Sequence, residues 1–278
     1  MLAWQPGSLG RLQLNNRLFR AATYVGRAGD DGSVAAGLVD FYSRLAEQGL
    51  GLLVTGITYV KQREILKPRQ KGIYSDHLVP GLRSLTDAVH DKGGKIFAQL
   101  AHGGAQAVPH LNHRNPRGPM AMVADGNRVE AISAFEIEKL VQDYGAAARR
   151  ARDAGFDGIQ IHLANHYGLS QFLSPAYNRR DDQYGLKGSG ELILKVYQAC
   201  RANTGVDFPI IVKANSEEFY SHKLTREWIL NLLKPLAQHG LNGVELRRGM
   251  GLSQQAGQGK KEAPADTACS RPATTARN

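Results

Sequence analysis

The sequence is poor in cysteine, in long apolar runs and in acidic residues, and each shortage excludes a class of protein. Its 278 residues contain two cysteines, Cys200 and Cys269, too few for a disulfide framework or a four-thiolate metal cluster. No apolar run approaches the roughly 18 to 20 residues of a membrane span, and the first residues lack the regions of a signal peptide. We therefore predict a cytoplasmic protein without a membrane partner.

Acidic residues are outnumbered, since 25 aspartates and glutamates face 35 lysines and arginines, which gives a net charge of +10. A basic balance can indicate nucleic-acid binding, but here the basic residues are scattered and no nucleic-acid-binding motif occurs. We interpret the charge as a solvated surface that helps to attract anionic ligands. The sequence thus predicts no nucleic-acid partner.

A repeating unit of helix, glycine and short apolar strand fills most of the chain. Strands are predicted at 18–23, 50–56, 95–101, 158–164, 209–214 and 243–246. Three of the intervening helices carry apolar stripes, at 38–45, 137–148 and 228–236. Two further helices are predicted near 79–92 and 190–203. Ser133 and Glu136 form a capping box at the start of one of these helices. A small hairpin within residues 1–17 is expected to close the bottom of the sheet.

Strict alternation of strands and helices predicts parallel strands, either in a closed barrel or in an open doubly wound sheet. Polar residues follow five successive strands: Thr23, Thr55, Gln99, His102, His162, Asn165, Lys213 and Asn215. In a barrel these strand ends converge on one mouth. An open sheet would carry a glycine-rich phosphate turn, and no Gly-x-Gly-x-x-Gly occurs. We therefore predict an α/β fold, a parallel (β/α) TIM-type barrel with about six of the eight units.

The strand at 158–164 delivers the densest group of polar side chains. His162, Asn165, His166 and Tyr167 lie within six positions at its carboxyl end. His162 and Asn165 would supply neutral hydrogen-bond donors, and Tyr167 a phenol with a transferable proton. Such a set suits a substrate carbonyl that gains negative charge and then a proton. Any one of these residues alone would be interpreted as a core residue whose hydrogen bonds are made within the protein, or as part of a polar loop. Four such residues together favour a catalytic site.

The spacing of His162 and His166 also raises the question of a metal. A strand end does not bring residues i and i+4 onto one face as a helix does. No carboxylate lies close by in sequence to complete a zinc site. We therefore predict no metal.

This segment resembles the old yellow enzyme family, the flavin-dependent ene-reductases and NADH:flavin oxidoreductases. The family's pattern His-x-x-Asn-x-Tyr is matched by His162, Asn165 and Tyr167, and Phe-Leu-Ser-Pro follows at 172–175. The further signature residues are Asn178, Arg180, Asp182, Tyr184 and Gly185. His166 and Leu186 stand where many relatives have glycine. The resemblance covers about 16 to 246.

The resemblance implies an FMN cofactor, NAD(P)H as reductant, and a small enone or related activated alkene as substrate. By the family pattern, Thr23 lies by the flavin carbonyl, Gly56 offers backbone to the ring, Gln99 bonds the pyrimidine edge and Lys213 sits near N1. The catalytic and substrate-binding residues would be His162 and Asn165, which hold the carbonyl oxygen, and Tyr167, which donates the proton.

The patterning stops at Leu246, which leaves an alternative open. We predict a partial flavin-binding barrel over 1–246 and an unstructured basic tail over 247–278, because the latter has few large apolar residues. The alternative is a non-catalytic truncated remnant of such a flavoprotein that binds FMN weakly or not at all. Open edges on its first and sixth strands would favour self-association, so a homo-oligomer is compatible with either interpretation.

Overall fold

The computed structural model describes residues 2–216 and 225–247. The predicted tail therefore lies outside the described residues, apart from Arg247. The strands are β1 Gly7–Leu9, β2 Leu12–Leu14, β3 Phe19–Arg20, β4 Leu52–Val54, β5 Thr58–Tyr59, β6 Ile96–Ala101, β7 Arg117–Gly118, β8 Met122–Ala124, β9 Asn127–Ala131, β10 Gly158–Leu163, β11 Ile210–Asn215 and β12 Gly243–Arg247. The helices are α1 Ala36–Ala46, α2 Val79–His90, α3 Pro109–Asn112, α4 Ala134–Asp153, α5 Gly168–Leu173, α6 Ser189–Thr204 and α7 Arg226–Gln238, with 3-10 turns at Leu2–Trp4, Asp76–Leu78 and Gly104–Gln106.

Six strands form one curved parallel sheet in the order β3-β4-β6-β10-β11-β12, with β5 paired to β6. The five helices α1, α2, α4, α6 and α7 alternate with these strands along the chain. This is the predicted sequence of units, in the predicted order. Because all six strands are parallel, their carboxyl ends lie at one edge of the sheet.

The two faces of the sheet have different cores. On the outer face, strand residues such as Leu53, Ile159 and Val212 pack against the helices in the main apolar cluster. On the inner face a smaller cluster consists of Leu14, Leu52, Val54, Phe97 and Ile211. The predicted hairpin, β1 with β2, contributes to this inner cluster and lies across the amino-terminal end of the sheet. Beyond this cluster, the inner face becomes polar toward the carboxyl ends of the strands.

The capping box that opens α4 is confirmed. Ser133 accepts from the backbone N–H of Glu136, and the Glu136 carboxylate accepts from the backbone N–H of Ser133. Ile137, Leu140, Val141, Tyr144 and Ala148, the predicted stripe, are all buried. Gly155 then takes φ +86°, a conformation that strains residues with a Cβ, and leads the chain into β10.

The prediction was wrong about the length of the first barrel strand. The expected strand 18–23 pairs with β4 only through Phe19 and Arg20. Beyond them the Thr23 hydroxyl donates to the carbonyl of Ala21 (3.1 Å), a local side-chain bond that replaces ladder pairing. Thr23 consequently lies in a loop.

The segment between β6 and α4, an insertion in the repeating unit, has a fold of its own. Strands β7, β8 and β9 form a small sheet, in which β8 and β9 make a hairpin. Its turn, Asp125-Gly126, has positive φ at both residues, as an Asp-Gly hairpin requires.

Among the described residues, no helix is long and apolar enough to cross a membrane.

Candidate active site

A pocket opens at the carboxyl edge of the sheet. It is lined by Gln99 from β6, His162 from β10, Asn165 and Tyr167 from the loop that follows, and Lys213 from β11. Five of the seven residues to which the family resemblance assigns a cofactor or catalytic role therefore share one pocket. The strand register explains this convergence, because parallel pairing places His162 directly beside Lys213.

His162 is a neutral donor toward this pocket. Burial, reinforced by the positive charges of Lys213 and Arg247, lowers the pKa of its imidazole to about 3. Its Nδ1 accepts the backbone N–H of Ala164 (3.2 Å), so the proton of the neutral ring is on Nε2.

Asn165 supplies a second donor beside the first. Its Nδ2 lies 3.4 Å from Nε2 of His162, and because both atoms carry protons they cannot satisfy each other. An oxygen placed between them would accept from both. The buried Oδ1 of Asn165 has no hydrogen-bond partner among the described residues.

The backbone at this point is held in a demanding conformation. Asn165 and His166 have φ of +63° and +54°, in the left-handed region that glycine enters most easily. Consecutive non-glycine residues in this region are characteristic of sites where geometry serves function. His166 thus occupies a glycine-like conformation at a position where the resemblance expects glycine, and its ring packs near Tyr177, with centroids 5.5 Å apart.

Tyr167 lies against the donor pair. Its ring meets that of His162 edge-on, with centroids 5.3 Å apart. Burial raises the pKa of its phenol, although the charge of Arg247 acts in the opposite direction, so the hydroxyl stays protonated at neutral pH. Tyr167 immediately precedes α5, whose first residue, Gly168, donates to the carbonyl of His102 (2.9 Å). A Cβ on Gly168 would lie 2.7 Å from Nδ1 of His102, so only glycine allows this close contact.

The floor of the pocket is a polar network that sequence reasoning missed. Gln99 donates to Gln160 (2.7 Å), Gln160 donates to Glu245 (2.8 Å), and the other oxygen of Glu245 lies 2.6 Å from the ammonium of Lys213. The signal was available in the period-2 alternation of the strands, which puts Gln160 and His162 on one face of β10. The partner of Lys213, however, lies on another strand and is brought to it only by the fold.

Thr23 and Gly56 lie beside the pocket rather than in its lining. Their chains approach closely: a Cβ on Gly56 would be 3.1 Å from the carbonyl carbon of Thr23. The backbone N–H of Gly56 donates to Tyr42 (3.0 Å), and the Thr23 hydroxyl is bound to its own loop. Their sequence neighbours Ala22, Tyr24 and Ile57 do line the pocket.

The second half of the signature builds the support of the site. Asn178 donates to the carbonyls of Phe172 (2.8 Å) and Tyr184 (2.9 Å) and so ties both ends of the loop together. Arg180 pairs with Asp182 and donates to the carbonyls of Pro119 (2.8 Å) and Ile132 (2.7 Å). These bonds join the loop after α5 to the insertion before α4.

His102, a polar residue at the end of β6, points away from the pocket. Its Nδ1 accepts the backbone N–H of Gly104 (3.0 Å), and its Nε2 lies 3.4 Å from the buried carboxylate of Glu64. Glu64 also pairs with Arg114. Within residues 2–216 and 225–247, no group of three or more His, Cys, Asp or Glu side chains is arranged to hold a metal ion.

Comparison with known proteins gives a consistent result. The model of the NADH:flavin oxidoreductase / NADH oxidase family matches residues 3–234. An NADH oxidase from Thermoanaerobacter brockii is 31% identical over 257 residues, which cover 89% of this chain and 39% of that protein. A probable flavin mononucleotide-dependent alkene reductase from Leishmania infantum is 36% identical over 199 residues, covering 65% of this chain and 54% of that protein. The chain thus spans well under two thirds of the length of these two curated relatives.

The fold has close counterparts among solved structures. The old yellow enzyme homologue from Zymomonas mobilis superposes with a TM-score of 0.81 at 29% identity, over 89% of this chain and 74% of that one. This likeness confirms the predicted α/β barrel.

Proposed function

Because the chain belongs to the NADH:flavin oxidoreductase / NADH oxidase family, we propose that it reduces activated alkenes, such as enones, with hydride from NAD(P)H by way of FMN. Membership confirms the expected cofactor and reductant at the level of the family. FMN, when bound, would accept hydride from NAD(P)H and pass hydride to the substrate, so reductant and substrate can use the same pocket in turn. The alkene substrate is our proposal, supported by the similarity to the probable alkene reductase of Leishmania infantum.

The pocket's polar groups fit the ring of a flavin. Gln99 and Lys213 present an amide and an ammonium at the floor of the pocket, and these groups match a ring edge that carries carbonyl oxygens and an imide N–H. A fixed cation beside that edge also stabilises the negative charge of a reduced flavin. Gly56 and Thr23 would border the ring through the loop beside the pocket.

The observation that carries the proposal is the pair of donors formed by His162 and Asn165. Two neutral N–H groups whose nitrogens lie 3.4 Å apart, one of them on an imidazole that stays neutral near pH 7, form a site for an oxygen that gains negative charge. A substrate carbonyl bound there would have its adjacent double bond polarised toward hydride addition. Tyr167, which packs against His162 and stays protonated, would then deliver a proton to the neighbouring carbon.

The test begins with the absorption spectrum of the purified full chain, before and after addition of FMN and gel filtration. The proposal expects a flavin spectrum and enone-dependent oxidation of NAD(P)H. A protein that retains no flavin after addition of FMN would instead support the non-catalytic interpretation. A protein that binds FMN and oxidises NAD(P)H but leaves every enone unreduced would keep the flavin site and overturn the alkene substrate.

A further inference from the structure

The polar network under the pocket is directional, and its direction is set at the end farthest from the ligand. Glu245 is a carboxylate and can only accept hydrogen bonds, so Gln160 must turn its NH2 group toward it. The carbonyl oxygen of Gln160 then faces Gln99, which must donate in turn. Each amide orientation follows from the one before it.

The last group in the chain is the one that meets the ligand. Gln99 uses one N–H of its Nε2 to donate to Gln160 at 2.7 Å, which turns its carbonyl oxygen, an acceptor, away from Gln160 and toward the pocket that it lines. Gln99 and Gln160 are buried at 1% and 0% exposure, so neither amide can turn toward bulk water to escape this arrangement. The orientation is therefore enforced by burial as well as by hydrogen bonding.

Lys213 fixes the other side of Glu245. Its ammonium lies 2.6 Å from Oε1, and an ammonium can only donate. Both carboxylate oxygens are thus occupied, one by Lys213 and one by Gln160. Glu245 holds the two polar residues of the floor in a defined arrangement.

We propose that Glu245 is a positioning residue that, through Gln160, makes Gln99 present an acceptor to the pocket and so selects ligands with an imide N–H, such as the flavin pyrimidine. This inference rests on the proposed function for the identity of the ligand. The orientation of the amides can nevertheless be measured without any ligand.

The isosteric variant Glu245→Gln reverses the network. Lys213 requires an oxygen, so the new amide must point its carbonyl at Lys213 and its NH2 group at Gln160. Gln160 then turns its carbonyl toward position 245 and its NH2 group toward Gln99. Gln99 must accept from Gln160 and present its NH2 group to the pocket. The ligand's imide N–H would meet a donor instead of an acceptor.

The first measurement is hydrogen exchange of the Gln99 side-chain NH2 group by NMR on ligand-free protein. In the wild type this group is bonded under the pocket, and in Glu245→Gln it faces the pocket, where we expect exchange at least about tenfold faster. Gln160→Leu, which retains the Lys213–Glu245 pair, provides a second variant and should also release the Gln99 amide. Equal exchange in all three proteins would overturn the proposal.

The second measurement compares the affinities of riboflavin and 3-methylriboflavin, two neutral ligands that differ in the imide N–H. The wild type should prefer riboflavin by about tenfold, the contribution of one hydrogen bond, and Glu245→Gln should lose that preference. Glu47→Gln makes the same charge change in an exposed pair with Lys92 and should retain the preference. An unchanged ratio in Glu245→Gln would contradict the role of Glu245. If no flavin binds to any variant while exchange responds as expected, the network stands and the proposed function fails.

Discussion

One buried lysine lies on each side of the sheet, and the two lysines have different partners. Lys213 on the inner face meets a carboxylate, Glu245, 2.6 Å away. Lys71 packs on the outer face, where its ammonium bonds the hydroxyls of Thr55 (3.2 Å) and Thr58 and lies 5.7 Å from the ring centroid of Phe156. Burial lowers the pKa of Lys71 to about 7.

The different partners of Lys213 and Lys71 have different consequences for the charge of each lysine. In the Lys213–Glu245 pair the half-buried carboxylate stabilises the charge of the buried ammonium at a defined position, which is what a ligand site needs. A buried amine with hydroxyl partners gives up its charge instead, because desolvation disfavours the charged form. We infer that polarity on the inner face serves ligand binding, whereas Lys71 on the outer face affects stability. Variants on the two faces should therefore separate binding from stability.

The largest effect is expected for Tyr167→Phe. The substitution removes a proton donor and leaves the ring packed against His162, so alkene reduction should slow by about 10²–10⁴-fold. Reduction of the flavin by NAD(P)H needs no such proton and should stay within about threefold. Anaerobic stopped-flow measurement of the two half-reactions separates these steps. An equal loss in both would show that Tyr167 acts in another way.

Removal of the donor pair should come next. In His162→Ala combined with Asn165→Ala, a phenolate loses two charge-assisted hydrogen bonds, and its affinity for the flavin-loaded protein should fall by about 10²-fold or more. The charge-transfer absorbance of bound phenolate provides the titration signal. His110→Ala, at an exposed histidine, is the matched control. Unchanged phenolate affinity in the double variant would place the oxyanion site elsewhere.

Lys71→Met tests the outer face. The folded pKa of about 7 lies below the unfolded value of 10.5, so between these pH values the unfolded state binds more protons and stability rises with pH. The free energy of unfolding of the wild type should increase by up to about 1.4 kcal/mol per pH unit from this group. Lys71→Met should lose that increase in urea titrations at pH 7, 8 and 9, whereas the exposed-site variant Lys187→Met should keep it. Parallel pH profiles in wild type and Lys71→Met would refute this assignment.

The smallest expected effect is on the free energy of unfolding at acid pH, and it comes from His162. Its folded pKa of about 3 lies below the unfolded 6.5, so stability is lost as pH falls from 6.5 toward 3. Carboxylates titrate in part of the same range, so the informative quantity is the difference between wild type and His162→Asn. That difference should shrink steadily below pH 6.5. A constant difference from pH 7 to pH 4 would mean that His162 accepts a proton in the folded protein.

Much of the architecture was predictable because it follows from local patterns. Glycines after apolar stripes marked the helix ends, and the Ser133–Glu136 box marked the start of α4. The strand ends were also predictable, so the polar residues that follow them were found. The length of β3 was overestimated because the Thr23 hydroxyl binds the carbonyl of Ala21 where further strand pairing was expected.

The rest could not be predicted because it depends on pairs distant in sequence. Gln160 reads as an isolated polar residue in an apolar strand until Gln99 and Glu245 are placed on either side of it. Lys71 reads as an ordinary solvated lysine, and only the packing against Phe156 shows that it is buried. In both cases the fold brings together groups that local sequence keeps apart.

The division of roles between the two faces is tested most directly by fluorescence titration of FMN into the apoprotein and three variants. Gln99→Ala and Lys213→Met remove inner-face contacts and should each weaken FMN binding by about tenfold or more, the contribution of one hydrogen bond. Lys71→Met changes a buried lysine of the segment after β5, whose ammonium lies near Phe156 of the outer apolar cluster, and its FMN dissociation constant should stay within about twofold of the wild type. Equal weakening by Lys71→Met, or no weakening by the inner-face variants, would contradict the assignment of the flavin site to the inner face.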